Sequence, residues 1–420
     1  MITHLKIRNF KALQEADVDL RPLSLFTGLN GMGKSTLMQA ILLLRQSYQQ
    51  QTIVSQGLML NGDLVEVGTA QDALNVGAEE DNISIEVRVD KSKRMYFWQF
   101  DARSKEADIL QLIGYHPDKK VSEVLDPLNF SEVDYSNYSS EEFTTLPPEK
   151  QRRLLLNSSS RLPFNGPLFQ YLNAERAAPQ TAYPTSASEV IQHRHLGKHG
   201  EYTAHFLAAF GDEPVKSENL LFPGTTTEEL DLEDKSDKTS LRNQISAWLG
   251  EISPGLRIDA TAHPDFGLAR VGYKFPTTLG ATRAFRPTNV GFGLSYILPV
   301  LTAILSAKPG TLLLIENPES HIHPRGQSRL GELLALAAQN DVQLLVETHS
   351  DHVLNGIRIA VKKYKLDPAS VGLYFFERAP LAQGGHHSII RQPQIDQDGR
   401  IDDWPEGFFD EWDKNLIDLL

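Results

Sequence analysis

Cysteine is absent from this chain. That excludes a disulfide scaffold, a thiol nucleophile and any cysteine-ligated zinc or iron–sulfur centre. A bilayer-length apolar run is missing too: the longest stretch, Leu294–Ala307, is interrupted by Pro299 and too short to span. The first residues carry Lys6, Arg8 and Lys11 in a polar–apolar alternation instead of a signal-peptide core. Positive charge is in short supply, 41 basic against 54 acidic side chains for a net charge of −13. Such a balance argues against a surface that coats nucleic acid by bulk charge, yet leaves a local basic groove open. These features predict a soluble cytoplasmic protein without a membrane partner. At 420 residues, two or three structural units are expected.

What is present alternates in texture. His4, Lys6 and Arg8 interleave with Leu5 and Ile7, a half-exposed strand. Leu23–Thr27 reads as a buried strand, and Lys34–Arg45 as a helix with Leu37, Ala40, Ile41 and Leu44 on one face. Ile83–Val89 and Met95–Phe100 suggest a meander. Ser131–Lys238 has the polar, punctuated composition of an insertion of mixed helices and loops, with a polar stretch at Asp134–Thr145 and an acidic loop at Thr225–Asp237. No sustained heptads run through it, so no long coiled coil is expected. A helix at Leu241–Ile252 follows, then paired strands near Leu256–Ala260 and Leu268–Phe275. The last third alternates helix and apolar strand: Leu294–Ser306, Thr311–Ile315, Gly326–Ala338, Val342–Val346 and Asp351–Lys363. That order implies an α/β fold with a largely parallel sheet. Basic clusters at Lys91–Arg94, Lys150–Arg153 and Arg358–Lys365 are solvated faces or nucleic-acid contacts.

Four strings carry chemistry. Gly28–Thr36 fits G-x-x-x-x-G-K-[ST] between a strand and a helix. Backbone N–H groups from Asn30 to Thr36, with Gly31 and Gly33 permitting the curl, would converge on phosphate at a helix N-terminus. Lys34 would reach the β- and γ-phosphates and the Ser35 hydroxyl would hold Mg²⁺. Thr311–Glu319 is an apolar strand ending in carboxylates, with Glu316 placed to hold Mg²⁺ through water. Val346–Ser350 is a second such strand; His349 suits a γ-phosphate or an attacking water, against the plainer reading of a helix N-cap by Ser350 or Asp351. Asn289–Ser295 places Gly291, Gly293 and Ser295 at the start of an apolar helix, a second anion cradle or a simple helix entry.

With the phosphate loop followed along the chain by Asn289–Ser295, Thr311–Glu319 and Val346–Ser350, and with the strings NFKAL, GLNGMGKSTL, ENPESHIHP and ETHSDHVLN, the chain resembles the ATP-binding-cassette heads of SMC and RecF-like ATPases. It is most similar to the compact heads of overcoming-lysogenization-defect (OLD) nucleases and Septu-type anti-phage ATPase subunits. The resemblance implies an ABC-type head with mixed parallel and antiparallel sheets. It divides the chain into an N-terminal lobe over 1–130, an insertion over 131–240, a C-terminal lobe over 241–370 and a hairpin and acidic aromatic tail over 371–420. It also implies a homodimer, or a higher oligomer, that sandwiches two ATP–Mg²⁺. Gly291, Gly293 and Ser295 would then act on the partner's nucleotide, with His349 as the switch histidine and Lys11 as a basic residue near the nucleotide. No nuclease centre is recognised, so a separate effector protein, a nuclease among the options, is implied in anti-phage defence. The alternatives are a RecF-like DNA-binding repair ATPase and a non-hydrolysing ATP-dependent scaffold. Where the family has Asp-Glu, this chain has Glu316-Asn317, and an amide cannot accept water's proton. Slow hydrolysis is therefore expected, with Glu319 as a substitute base.

Other candidates are weaker. His321 and His323 are two ligands short of a metal site, and His193, His195 and His199 read as a solvated loop. Glu175-Arg176 is either a buried salt bridge or a phosphate contact. Arg283 and Arg286 are positioned to reach ATP or a partner. Asp396–Gly399 fails the calcium-loop template at Gln394 and Pro405, which favours a hairpin turn between Ile395 and Ile401. The aromatic tail, Trp404–Trp412, packs on its own head or anchors a partner.

Overall fold

The structure is a computed structural model that describes residues 1–89, 94–116, 145–159, 161–223, 238–278, 280–380, 386–409, 415–416 and 419. Residues 91–93, 134–144, 225–237 and 410–412, which carry parts of the basic, polar, acidic and tail segments singled out above, lie outside that set. Two compact units emerge, each assembled from separate stretches of the chain. The first comprises Met1–Arg21, Gly28–Gly166 and Tyr374–Gln392; the second Pro22–Thr27, Pro167–Leu373 and Pro393–Leu420.

The first unit is built on an antiparallel sheet in the order Leu13–Asp19, Ile2–Phe10, Asn82–Val89, Arg94–Asp101, Ile109–His116, Leu58–Met59. Alternation sets its first hairpin: Leu5 and Ile7 are buried, while Lys6 and Arg8 face Asp17 and Glu15 across the strands, at 2.8 Å and 3.2 Å. The helix Lys34–Gln49 is enclosed on nearly all sides. Its Tyr48 hydroxyl accepts from the Trp98 indole at 3.1 Å, which satisfies the polar tip of the largest ring in the core. Arg45, also buried, donates to the carbonyls of Phe164 and Gly166.

Four short parallel strands form the centre of the second unit, in the order Leu23–Gly28, Gln343–Glu347, Leu312–Glu316, Phe169–Leu172. The middle two are apolar runs bounded by Thr311 and Gly310 or Asp341 and Val342, as expected for strands covered on both faces. Strand Phe169–Leu172 belongs to the segment read from sequence as an insertion. Only four residues long, it gives too short an apolar run to be told from loop. Helices Pro324–Ala338 and Asp351–Tyr364 cross at a reciprocal pair of glycines. A Cβ on Gly331 would sit 2.2 Å from the Val353 carbonyl oxygen, and one on Gly356 would sit 1.9 Å from that of Ser328. A smaller antiparallel sheet joins Arg257–His263, Leu268–Lys274 and Tyr183–Pro184. The hairpin turn between Ile395 and Ile401 forms as read, its Asp396 carboxylate accepting the N–H groups of Asp398 and Arg400 at 2.9 and 2.8 Å. The described part of the tail lies in this same unit: Arg358 stacks on Trp404, and Phe408 is buried. No helix among the described residues is long and apolar enough to cross a membrane.

Candidate nucleotide site

The phosphate loop lies in the first unit. Gly28, Gly31 and Gly33 have φ of 132°, 78° and 94°, the left-handed region that only glycine enters without a Cβ penalty. The two outer positions are crowded as well, since a Cβ would lie 2.3 Å from the Phe376 carbonyl oxygen at Gly28 and 3.1 Å from the Leu13 side chain at Gly33. Gly33 is the N-cap of the helix Lys34–Gln49, which has no side-chain cap and no acid in its first turn. Its positive dipole end therefore opens onto the loop. Lys34 is 3% exposed and folds back over the loop, its ammonium donating to the carbonyls of Gly28 and Leu29, both at 2.9 Å. Asn30 and Gly31 are exposed, Ser35 is half-buried and Thr36 is buried. Lys11, in the turn after the first strand, donates to Gln39 Oε1 at 2.9 Å; burial holds its pKa below the usual lysine range. Arg378, which the sequence offered no reason to select, brings a guanidinium nitrogen to 3.9 Å of the Cβ position of Gly31.

The carboxylates gather in the second unit, at the ends of its parallel strands. Glu316 and Glu347 are register partners on neighbouring strands. Glu316 accepts from the Tyr171 hydroxyl at 2.9 Å and from the Ala174 N–H at 3.2 Å, and Arg176 donates to the Glu316 carbonyl at 2.8 Å. Burial, with Glu316 beside it, pushes the Tyr171 hydroxyl far above the ordinary phenol range, so it stays a donor. Burial lowers Arg176 to about 10 against the pull of Glu316. Glu175 is exposed, so the pair with Arg176 considered above does not form; only its carbonyl is engaged, by His199 at 2.7 Å. Glu319 is buried, and one carboxylate oxygen accepts the His349 N–H at 2.9 Å. Desolvation raises its pKa, opposed by that hydrogen bond. The His349 ring itself is exposed, and Ser350 is the N-cap of the following helix, bonded to Val353 N–H and to Gln327.

Asn317 has φ 44°, and its N–H donates to the Glu347 carbonyl at 2.8 Å. An amide side chain tolerates this left-handed conformation, in which a glutamate would be strained. Among the described residues, the buried oxygens Asn317 Oδ1 and Glu319 Oε2 have no hydrogen-bond partner. Unpartnered oxygens of this kind suit the waters of a hydrated Mg²⁺, for which Glu316 is the carboxylate at the strand end.

The glycine-rich helix entry divides in two. Gly291 and Phe292 are exposed, but Ser295 is buried, its hydroxyl lying with those of Tyr183 and Tyr273 around a small cavity of about 20 Å³. The expectation that Ser295 reaches a second subunit is corrected to that extent: one turn into a helix, its side chain points back into its own unit. Gly293 has a packing role, since a Cβ there would meet the His321 carbonyl oxygen at 2.4 Å. His323 caps the next helix through Nδ1 and His321 packs on Tyr296, while His195 pairs with Glu189. Among the described residues no group of three or more histidines and acids is arranged to hold a metal.

A family model described as "AAA domain, putative AbiEii toxin, Type IV TA system" matches residues 23–355, the span that holds the phosphate loop and both carboxylate-bearing strands. The chain belongs to this AAA family. This AAA domain is therefore of the AAA ATPase class, for which nucleotide is the expected ligand, and the family match does not distinguish OLD or Septu-type heads within it. A second model, a protein family of unknown function (DUF3696), matches residues 366–419. Comparison with curated proteins finds no matching sequence. Solved structures similar to this AAA domain include an Smc head bound to the C-terminal winged-helix domain of ScpA, at 10% identity and TM-score 0.46, covering 93% of this chain and 98% of that one. The SMC head domain from Thermotoga maritima matches at 10% identity and TM-score 0.43, covering 94% and 99%. An Smc head with an extended coiled coil, bound to the C-terminal domain of ScpA and derived from Pyrococcus furiosus, matches at 12% identity and TM-score 0.47, covering 100% and 99%.

Proposed function

We propose that this AAA domain binds ATP–Mg²⁺, closes as a homodimer around two nucleotides, hydrolyses them slowly and thereby controls a separate effector protein in anti-phage defence. The observation that carries the nucleotide reading is the phosphate loop, where left-handed glycines lead into an uncapped helix with Lys34 lying across the loop carbonyls. Phosphate would take over the Lys34 ammonium and the helix N–H groups. Glu316 would steady the metal's waters, set by Tyr171 and Ala174. Glu319, with one oxygen fixed by His349 N–H and a raised pKa, is the group suited to accept the proton of an attacking water. Asn317 orients that water without accepting its proton. The exposed backbone at Gly291 and Phe292, in place of the Ser295 hydroxyl, would address the second copy's nucleotide. The family description as a putative toxin of a type IV toxin–antitoxin system is in keeping with a defence role.

Native mass measurement with and without ATP–Mg²⁺ tests the reading. Wild type should double in mass with nucleotide and Lys34→Ala should not. A wild type that binds ATP and stays monomeric would remove the dimer, and an Lys34→Ala variant that binds ATP as tightly would remove the site.

A further inference from the structure

The second unit carries a cationic surface that neither the nucleotide nor the fold accounts for. Between Arg257 and Arg286 the chain places Arg257, Arg270, Lys274, Arg283 and Arg286 against two carboxylates, Asp259 and Asp265, within a protein of net charge −13. Lys274 takes Asp259 at 2.8 Å. Among the described residues, none of the four arginines enters an ion pair. The sheet register sharpens the point: Arg257 lies directly opposite Lys274, a like-charged cross-strand pair that disfavours folding, and Thr261 lies opposite Arg270. Arg257 and Arg270 share one face, four residues apart in register or about 14 Å along the strand. That is the rise of about four base steps of duplex. Arg270 and Arg286 line one cleft of about 330 Å³ with Thr181 and Thr261, whose hydroxyls can donate to anionic oxygen, and with Asp259, whose carboxylate is taken up by Lys274. At the tip of the hairpin Phe266 stands 78% exposed, a ring free to stack.

We propose that this hairpin face, with Arg257, Arg270 and Arg286 as its contacts, is a docking surface for the phosphate backbone of nucleic acid. Guanidinium forks match phosphate bidentately, and unpaired arginines in a row at phosphate-scale spacing would release counterions on contact. Hydroxyl donors and an exposed ring beside them suit a nucleic acid better than an acidic peptide, which offers carboxylates alone. The surface belongs to the second unit and uses no residue of the phosphate loop, so it stands or falls independently of the ATP reading.

The test is fluorescence anisotropy of short fluorescein-labelled single-stranded and duplex DNA across a salt series, with wild type, the Arg270→Gln/Arg286→Gln double variant and Arg325→Gln, an arginine already paired with Glu251. Both cleft arginines are exposed and unpaired, so the double variant should melt as wild type does. Wild type and Arg325→Gln should bind and weaken alike with salt. The double variant should lose about 0.9 in the slope of log affinity against log salt for each duplex contact removed. Lys34→Ala should bind as wild type does. No binding at about 50 mM salt, where such contacts are strong, or an unchanged slope in the double variant, would overturn the proposal. A double variant that keeps DNA binding but loses ATP-driven dimerisation would assign the arginines to a second copy's nucleotide instead. A glutamate-rich peptide that displaces DNA and binds more tightly would assign them to an acidic protein.

Discussion

Removing one hydroxyl tests the carboxylate centre directly. Tyr171 is 6% exposed and donates to Glu316 at 2.9 Å, so Tyr171→Phe deletes a hydrogen bond to a charged group and leaves the ring packing intact. Bonds of that kind contribute about 1.5–3 kcal/mol net. Glu316 keeps the Ala174 N–H, which argues for the lower half of the range. Since about 1.4 kcal/mol is tenfold, opening of the strand ends should become about 10- to 40-fold more frequent. Hydrogen exchange read on peptides over residues 312–320 and 343–349 should lose protection by that factor, because Leu312–Glu316 and Gln343–Glu347 are paired along their whole length. A cycle with Glu316→Gln isolates the bond, and a coupling within about 0.3 kcal/mol of zero, together with unchanged exchange, would refute its existence in solution.

Other outcomes follow from single positions. Gly356→Ala should lower the melting temperature of the second unit by the equivalent of about 1–3 kcal/mol or more, because its Cβ would lie 1.9 Å from a backbone oxygen that cannot turn away; an unchanged melt would mean the helices are not this close. Asn317→Glu places a longer side chain at φ 44° and should cost about 1–2 kcal/mol, whereas Asn317→Gly should not; a glutamate variant that is fully stable and turns over ATP much faster would show that the backbone relaxes. Burial raises the folded pKa of Glu319 above its ordinary 4.5, so the neutral form is favoured on folding, with its contribution full below that value and lost as pH rises through the folded pKa. Glu319→Gln, which retains an acceptor for His349 N–H, should therefore melt above wild type at neutral pH and match it in acid. The opposite order at neutral pH would mean that the ionised carboxylate is stabilised after all.

Much of the site was legible because its chemistry is local in sequence. Gly28, Gly33 and Lys34 fall within seven residues, and their roles follow from backbone conformations that few residue types can adopt. Glu316 and His349 each sit just past an apolar run whose length marks a strand end. The partners that set them were not legible. Tyr171 and Arg176 reach Glu316 from 145 and 140 residues away, out of a four-residue edge strand and the bend just after it, with no periodic signal. The sequence pattern also made Ser295 look equivalent to Gly291, although one turn of helix separates an exposed cap from a side chain facing the interior.

The amino-acid order alone determined the phosphate loop, the alternation of buried strands and helices that makes an α/β protein, and the cysteine-free chemistry, since each rests on neighbours within one element. Tertiary structure decided the pairing of Glu316 with Tyr171 and Glu347, the left-handed Asn317, the burial that raises Glu319 and the row of unpaired arginines on one hairpin face. Those properties depend on which strand ends lie side by side and on how much water reaches them, and no local pattern encodes either.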